Sequence, residues 1–151
     1  MAVLMDEGLT VDLLRELLRN LIPWRALFTA EGIDTLTCDG ISISLWDLEY
    51  LYLVSQQILP IRQRQAIRLC LVMNMSEQDA AVIMKIDDTN PVAMYATSGL
   101  EKIIHNMRFN LLPRRELVLA TEARKQPRPE SVSLHPTAVS ADDYDNPYIE
   151  I

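Results

Sequence analysis

Glycine is scarce and cysteine scarcer: the 151-residue chain holds four glycines, two cysteines and two histidines. Each shortage closes off a class of function. So few glycines leave no phosphate-cradling loop, and neither a nucleophile motif nor an acidic pair in a recognisable setting occurs, so no enzymatic activity is expected. Cys38 and Cys70 stand in different segments without CxxC spacing, which reads as two ordinary buried thiols in a reducing cytoplasm. His105 and His135 have no Cys or carboxylate at ligand spacing, so neither a metal nor any other cofactor is expected. Long hydrophobic runs are missing too. Arg, Glu or Asp interrupts every apolar stretch well short of the roughly 20 residues a bilayer demands. Asp6 and Glu7 sit where a secretory leader would be basic. The expectation is a cytoplasmic protein that makes no membrane contact.

Positive charge is also in short supply. A formal net charge of −7 argues against coating nucleic acid through bulk electrostatics. The charge is uneven, however. Residues 1–58 carry three basic and nine acidic side chains, residues 59–116 carry eight and six, and residues 117–151 carry three and six. The middle segment is therefore the only one that is not acidic. What the chain does have is apolar matter: 49% hydrophobic residues suffice for one compact domain with appendages.

Helix punctuation divides that matter. Thr10 can cap a first helix whose Leu13, Leu14, Leu17, Leu18 and Leu21 form an apolar stripe, with Pro23 ending it and opening a short second helix that Gly32 closes. In Thr35-Leu-Thr-Cys-Asp-Gly-Ile-Ser-Ile-Ser44, two alternating runs flank Asp39-Gly40, which predicts a small β-hairpin. Ser44 and Asp47 stand in capping-box spacing before an amphipathic helix through Leu48, Leu51, Val54 and Ile58. Leu59-Pro60 opens the next helix, which Asn74 ends. Ser76, with Asp79 three residues on, caps another whose Ala80, Ala81, Ile83 and Met84 offer a close-packing face. Asn90, with Pro91 at the first helical position, caps a third through Val92, Ala96, Leu100, Ile103 and Met107. Pro113 starts a last short helix to about Lys125. The stretch 126–151, rich in Pro, Ser, Asp and Thr without an apolar period, is expected to be a flexible acidic tail.

The predicted fold class is thus mainly α. It comprises an N-terminal helical and hairpin segment (1–58), a three-helix helix-turn-helix unit (59–112), a short helix (113–125) and a disordered tail (126–151). In a helix-turn-helix the first helix backs the pair, the second crosses the DNA backbone and the third enters the major groove, so small residues are needed where the last two meet. Ala80-Ala81 fit that need.

Leu59-Pro-Ile-Arg-Gln-Arg-Gln-Ala-Ile-Arg-Leu69 resembles the opening helix of region 4 of bacterial sigma-70 factors, with its Leu-Pro-x-Arg-x-Arg start. Met75-Ser-Glu-Gln-Asp-Ala-Ala-Val-Ile-Met-Lys-Ile86 resembles the second helix of that region, and Asn90-Pro-Val-Ala-Met-Tyr-Ala-Thr-Ser-Gly-Leu100 stands where the recognition helix falls. The likeness covers about a third of the chain and is shared with small sigma-like proteins of actinobacterial phages. It implies a DNA-binding transcription regulator that meets double-stranded promoter DNA, RNA polymerase, or both.

Carried onto this sequence, phosphate contacts fall to Arg62, Arg64, Arg68 and Lys85, and base readout to Thr89, Asn90, Met94, Thr97, Ser98 and Lys102. The arginines read equally as a solvated helix face, and Arg114 and Arg115 form a second basic pair. Two departures stand out. Asn90 to Glu101 contains no basic residue, although Arg or Lys on guanine is the commonest specific contact. The turn before that helix, with Asp87 and Asp88, is also about one residue longer than usual. The alternative is a protein-binding adaptor or assembly protein that keeps the helix-turn-helix as a scaffold. The acidic flanks favour a protein partner, and Asp142-Asp-Tyr-Asp-Asn-Pro-Tyr-Ile-Glu-Ile151 reads either as a segment that folds onto a basic groove or as a solubilising tail.

Overall fold

The structure, a computed structural model, describes residues 8–38 and 40–125; the expected tail and Asp39 of the expected turn lie outside them. It is mainly helical with one two-stranded antiparallel sheet. The elements run α1 (Val11–Arg19), α2 (Leu21–Glu31), β1 (Thr35–Cys38), β2 (Ile41–Ser44), α3 (Leu45–Ile58), α4 (Ile61–Ala66), a π-helical segment (Ile67–Val72), α5 (Glu77–Met84), α6 (Asn90–Arg108) and α7 (Arg115–Lys125). Among the described residues no helix is long and apolar enough to cross a membrane.

The caps do what their spacing predicts. Oγ1 of Thr10 accepts the N–H of Leu13 at 3.1 Å, Oγ of Ser44 that of Asp47 at 3.1 Å, and Oγ of Ser76 that of Asp79 at 3.1 Å. Each satisfies a first-turn donor that has no intrahelical partner. Gly32 closes α2 with a φ of 72°, a left-handed conformation glycine adopts without steric cost. β1 and β2 pair in the register Thr35↔Ser44, Leu36↔Ile43, Thr37↔Ser42 and Cys38↔Ile41.

Two boundaries, at Pro23 and at Asn90, differ from the sequence expectation. The first helix ends at Arg19, before Pro23, and Pro23 lies inside the first turn of α2. A proline is tolerated there because first-turn N–H groups lack partners anyway. The helix from Leu59-Pro60 ends as expected: its last helical residue is Val72, Met73 caps it, and Asn74 terminates it. Asn74 takes the left-handed region at φ 52°, and its Nδ2 donates to the Arg19 carbonyl at 3.0 Å, tying the end of α1 to this turn. Asn90 is the first residue of α6 and not its cap. The Asp88 carboxylate instead accepts the Asn90 N–H at 3.2 Å, and Pro91 follows within the first turn.

One core unites these pieces. Leu14, Leu17 and Leu18 of α1, Trp24 of α2, Ile43 of β2 and nearly the whole of α3 are buried together with Ala66, Ile67 and Leu69, and with Val92, Leu100 and Ile103 of α6. α1 packs on both α6 and the π segment, α3 on α2, α6 and α7. The expected 1–58 segment therefore shares its hydrophobic interior with the expected 59–112 unit. Gly99 lets α6 approach the two ends of α4 closely: a Cβ there would lie 2.8 Å from Cδ1 of Ile67, at the start of the π segment, and 3.0 Å from Cδ1 of Leu59, just ahead of α4. The helix-weakening glycine is thus explained by packing.

Candidate helix-turn-helix interface

α5 and α6 are joined by the turn Lys85–Thr89 and pack on each other, on α4 and on the π segment, where the sequence predicts a helix-turn-helix. Ala80, Ala81 and Met84 of α5 are buried with Val92, Ala96 and Leu100 of α6. The turn is set by Lys85, whose left-handed φ of 59° and ψ of 46° reverse the chain, while the N–H of Ile86 donates to the Ala81 carbonyl at 2.9 Å. The opposite faces of both helices remain open.

The arginines do not line that open face. Arg68 is 1% exposed, so it is a core residue and the expected phosphate contact is corrected. Its position follows from the π segment, whose wider turn begins at Ile67 and buries Ile67, Arg68 and Leu69 in succession. Arg68 helps set the environment of Tyr52. Burial pushes that phenol up to about 12, with Arg68 and Arg25 pulling the other way. Arg62 is half-buried and its guanidinium donates to the Met84 carbonyl, neutralising the carbonyl end of α5. Arg64 is half-buried, its carbonyl accepting from Nε2 of Gln56 at 3.1 Å. The charged row that i, i+4 spacing suggests is therefore structural at Arg62 and Arg68.

The readout residues divide likewise. Asn90, Met94, Ser98 and Lys102 are exposed along α6, as is Lys85. Thr89 is half-buried in the turn. Thr97 is turned to α1: its Oγ1 accepts from Nη2 of Arg15 at 2.9 Å, and Arg15 also pairs with Asp12 at 2.9 Å. Thr97 is thus half-buried and held by Arg15, where base readout was expected of it. Arg114 is exposed, whereas Arg115 pairs with the buried carboxylate of Asp47 and sits over the Tyr50 ring at 5.5 Å from its centroid.

Apolar and acidic groups dominate what α5, the turn and α6 present outward. Val82 is 76% exposed and Met94 67% exposed. Around them Glu77, Asp79, Asp87, Asp88 and Glu101 are exposed, with Lys85, Lys102 and, at the far end of α6, Arg108 as the opposing charges. Val82 was legible in the sequence as the apolar residue opposite the Ala80, Ala81, Met84 face, the position where a helix usually carries a polar side chain. Arg15 carried no such signal, because its partner is 82 residues away. Cys70, half-buried on the π segment, has its thiol pushed up to about 11 by burial and by Glu77, with Arg19 opposing, so its nucleophilic form is suppressed. Among the described residues no group of His, Cys, Asp and Glu is placed to hold a metal ion.

Compared with family models, with curated proteins and with solved structures, the chain finds no match.

Proposed function

We propose that the chain is a cytoplasmic, non-enzymatic transcription regulator that acts through RNA polymerase, its α5–α6 face serving as a protein-docking surface. One observation carries this reading: the outward face of α5 and α6 exposes Val82 and Met94 among carboxylates, while Arg62 and Arg68 are committed to the fold. Asp87 and Asp88, at the N-terminus of α6, would face phosphates in a major-groove complex, and each such approach costs Coulomb energy that Lys85 and Lys102 only partly offset. Exposed aliphatic side chains rimmed by charge are instead the anatomy of a protein interface. The likeness of residues 59–100 to sigma region 4 supplies the partner class.

The test is a titration of the full chain against bacterial RNA polymerase by fluorescence anisotropy. Saturable binding that Val82→Glu and Met94→Glu remove, with circular dichroism unchanged, supports the reading. Undiminished binding of both variants overturns it.

Direct contact with double-stranded DNA is the second reading, favoured by the open row Asn90, Met94, Ser98 and Lys102 on α6. Under it, Lys85→Ala and Lys102→Ala lower DNA affinity and flatten its salt dependence, each by about one released counterion.

A further inference from the structure

α7 reverses the pattern of an ordinary surface helix. Its buried side holds Val118 and a glutamate, Glu122, to which Nε2 of Gln57 donates at 3.0 Å, while Leu117 is 61% and Leu119 49% exposed. A helix that buries a carboxylate and leaves two leucines in water carries its apolar surface on the side away from its own fold. We propose that this outward side of α7 pairs, antiparallel, with the same side of α7 in a second copy of the chain, giving a weak two-fold dimer.

Charge and shape select that occupant. At about 100° per residue, Ala120 points directly away from Val118 and Glu122, so it marks the middle of the exposed side. Glu116 stands one turn before it and Arg124 one turn after, each about 6 Å away along the helix. Both are exposed, and among the described residues neither has an ion-pair partner. About 12 Å apart along one helix, they are too distant to pair with each other. A two-fold axis beside Ala120 brings Glu116 of each copy opposite Arg124 of the other, so a single crossing forms both ion pairs and the patch complements itself. A parallel pairing in the same register sets like against like at both ends and is disfavoured. The small side chains of Ala120 and Ala123 allow an approach of about 8 Å between helix axes. Leu119, one residue from the axis, is then brought against its own copy. α7 packs chiefly on α3, so this dimer leaves the open side of α5 and α6 free for another partner. Eleven residues make a helix only about 16 Å long, which covers less than the roughly 1,200 Å2 of a stable interface, so the dimer forms at concentrations on the order of 100 μM.

Sedimentation equilibrium of the full chain, from about 10 μM to about 1 mM, tests the pairing. The natural chain should pass from monomer to dimer across this range. Glu116→Arg sets like charges opposite each other at both ends of the crossing, and so does Arg124→Glu, so each variant alone should dimerise at least about tenfold more weakly. An equimolar mixture of the two variants restores opposite charges at both ends and should recover the dimer, which mixing two misfolded chains does not do. A natural chain that stays monomeric to about 1 mM, a dimer that survives either substitution, or a mixture that stays monomeric overturns the proposal. Ala120→Cys, beside the axis, gives an independent reading: it should form a disulfide-linked dimer faster than Lys102→Cys on α6, and equal rates also overturn the proposal.

Discussion

α3 and α6, the two longest helices among the described residues, are used in opposite ways. Ten of the 14 residues of α3 are buried, on every side of the helix, and Asp47, Ser55 and Gln56 are among them. α6, at 19 residues, buries Val92, Ala96, Gly99, Leu100, Ile103, Ile104 and Met107 at spacings of one to four and leaves its other side open. A helix buried all round must settle its polar groups inside the protein. α3 does so for most of them: Asp47 pairs with Arg115, Gln56 donates to the Arg64 carbonyl at 3.1 Å and the Ser55 hydroxyl to the Tyr52 carbonyl at 2.6 Å, while Oε1 of Gln56 is left without a hydrogen bond. A half-buried helix keeps its polar groups for something else. The same division runs through the basic residues, with Arg68 buried and Lys102 left exposed on the open side of α6.

That contrast can be broken at graded strengths. Arg68→Ala should cost the most, about 3–5 kcal/mol by urea unfolding, because it empties the space of a fully enclosed long side chain. Lys102→Ala should fall within about 0.5 kcal/mol of the parent. A small effect of Arg68→Ala would show that this side chain belongs to the surface after all. Next, Leu48→Ala on α3 should lower stability by about 2–5 kcal/mol, against about 0.5 kcal/mol or less for Met94→Ala on α6, both read from thermal melts.

The third effect is one of pH. Tyr52 keeps its proton in the fold to about 12, against 10.0 ordinarily, because burial disfavours the phenolate. Below pH 10 both folded and unfolded chains carry that proton and the native advantage is whole; between pH 10 and 12 deprotonation favours the unfolded chain, so stability falls. The expected loss is on the order of 2 kcal/mol by the usual linkage, and Tyr52→Phe should flatten this part of the decline in urea midpoints. The smallest is Gly99→Ala. Crowding against Ile67 and Leu59 opposes a gain in helix propensity of about 1 kcal/mol, leaving a net loss of about 1 kcal/mol.

Local physics was legible in the sequence. Thr10, Ser44 and Ser76 announce their helices because a hydroxyl three residues ahead of a free N–H acts at short range, and Asp39-Gly40 marked the place of the reversal between β1 and β2. The helix pattern of α6 was likewise plain in Val92, Ala96, Leu100, Ile103 and Met107, all of them buried. What was not legible depends on distant partners or on small changes of helical pitch. Arg64 and Arg68 look alike at i, i+4 spacing, but the π segment starting at Ile67 encloses one and leaves the other half-buried. Thr97 looks like a groove residue until Arg15, from the far end of the chain, arrives on it at 2.9 Å. Pro23 looks like a helix terminator, yet the break falls at Asn20, where the backbone N–H still reaches the Leu17 carbonyl at 3.1 Å. The candidate site was therefore half visible: Asn90, Met94, Ser98, Lys85 and Lys102 are on the open side, whereas Arg62, Arg68 and Thr97 hold the fold together.

The most direct test of the central claim is fluorescence anisotropy of pooled double-stranded DNA with the purified chain at low and at physiological salt, with RNA polymerase titrated in parallel. Docking through the α5–α6 face should give saturable binding to polymerase and little DNA binding even at low salt. Tight DNA binding that weakens steeply as salt rises would contradict it, because it would require a phosphate-facing basic surface that Arg62 and Arg68, committed to the fold, do not supply.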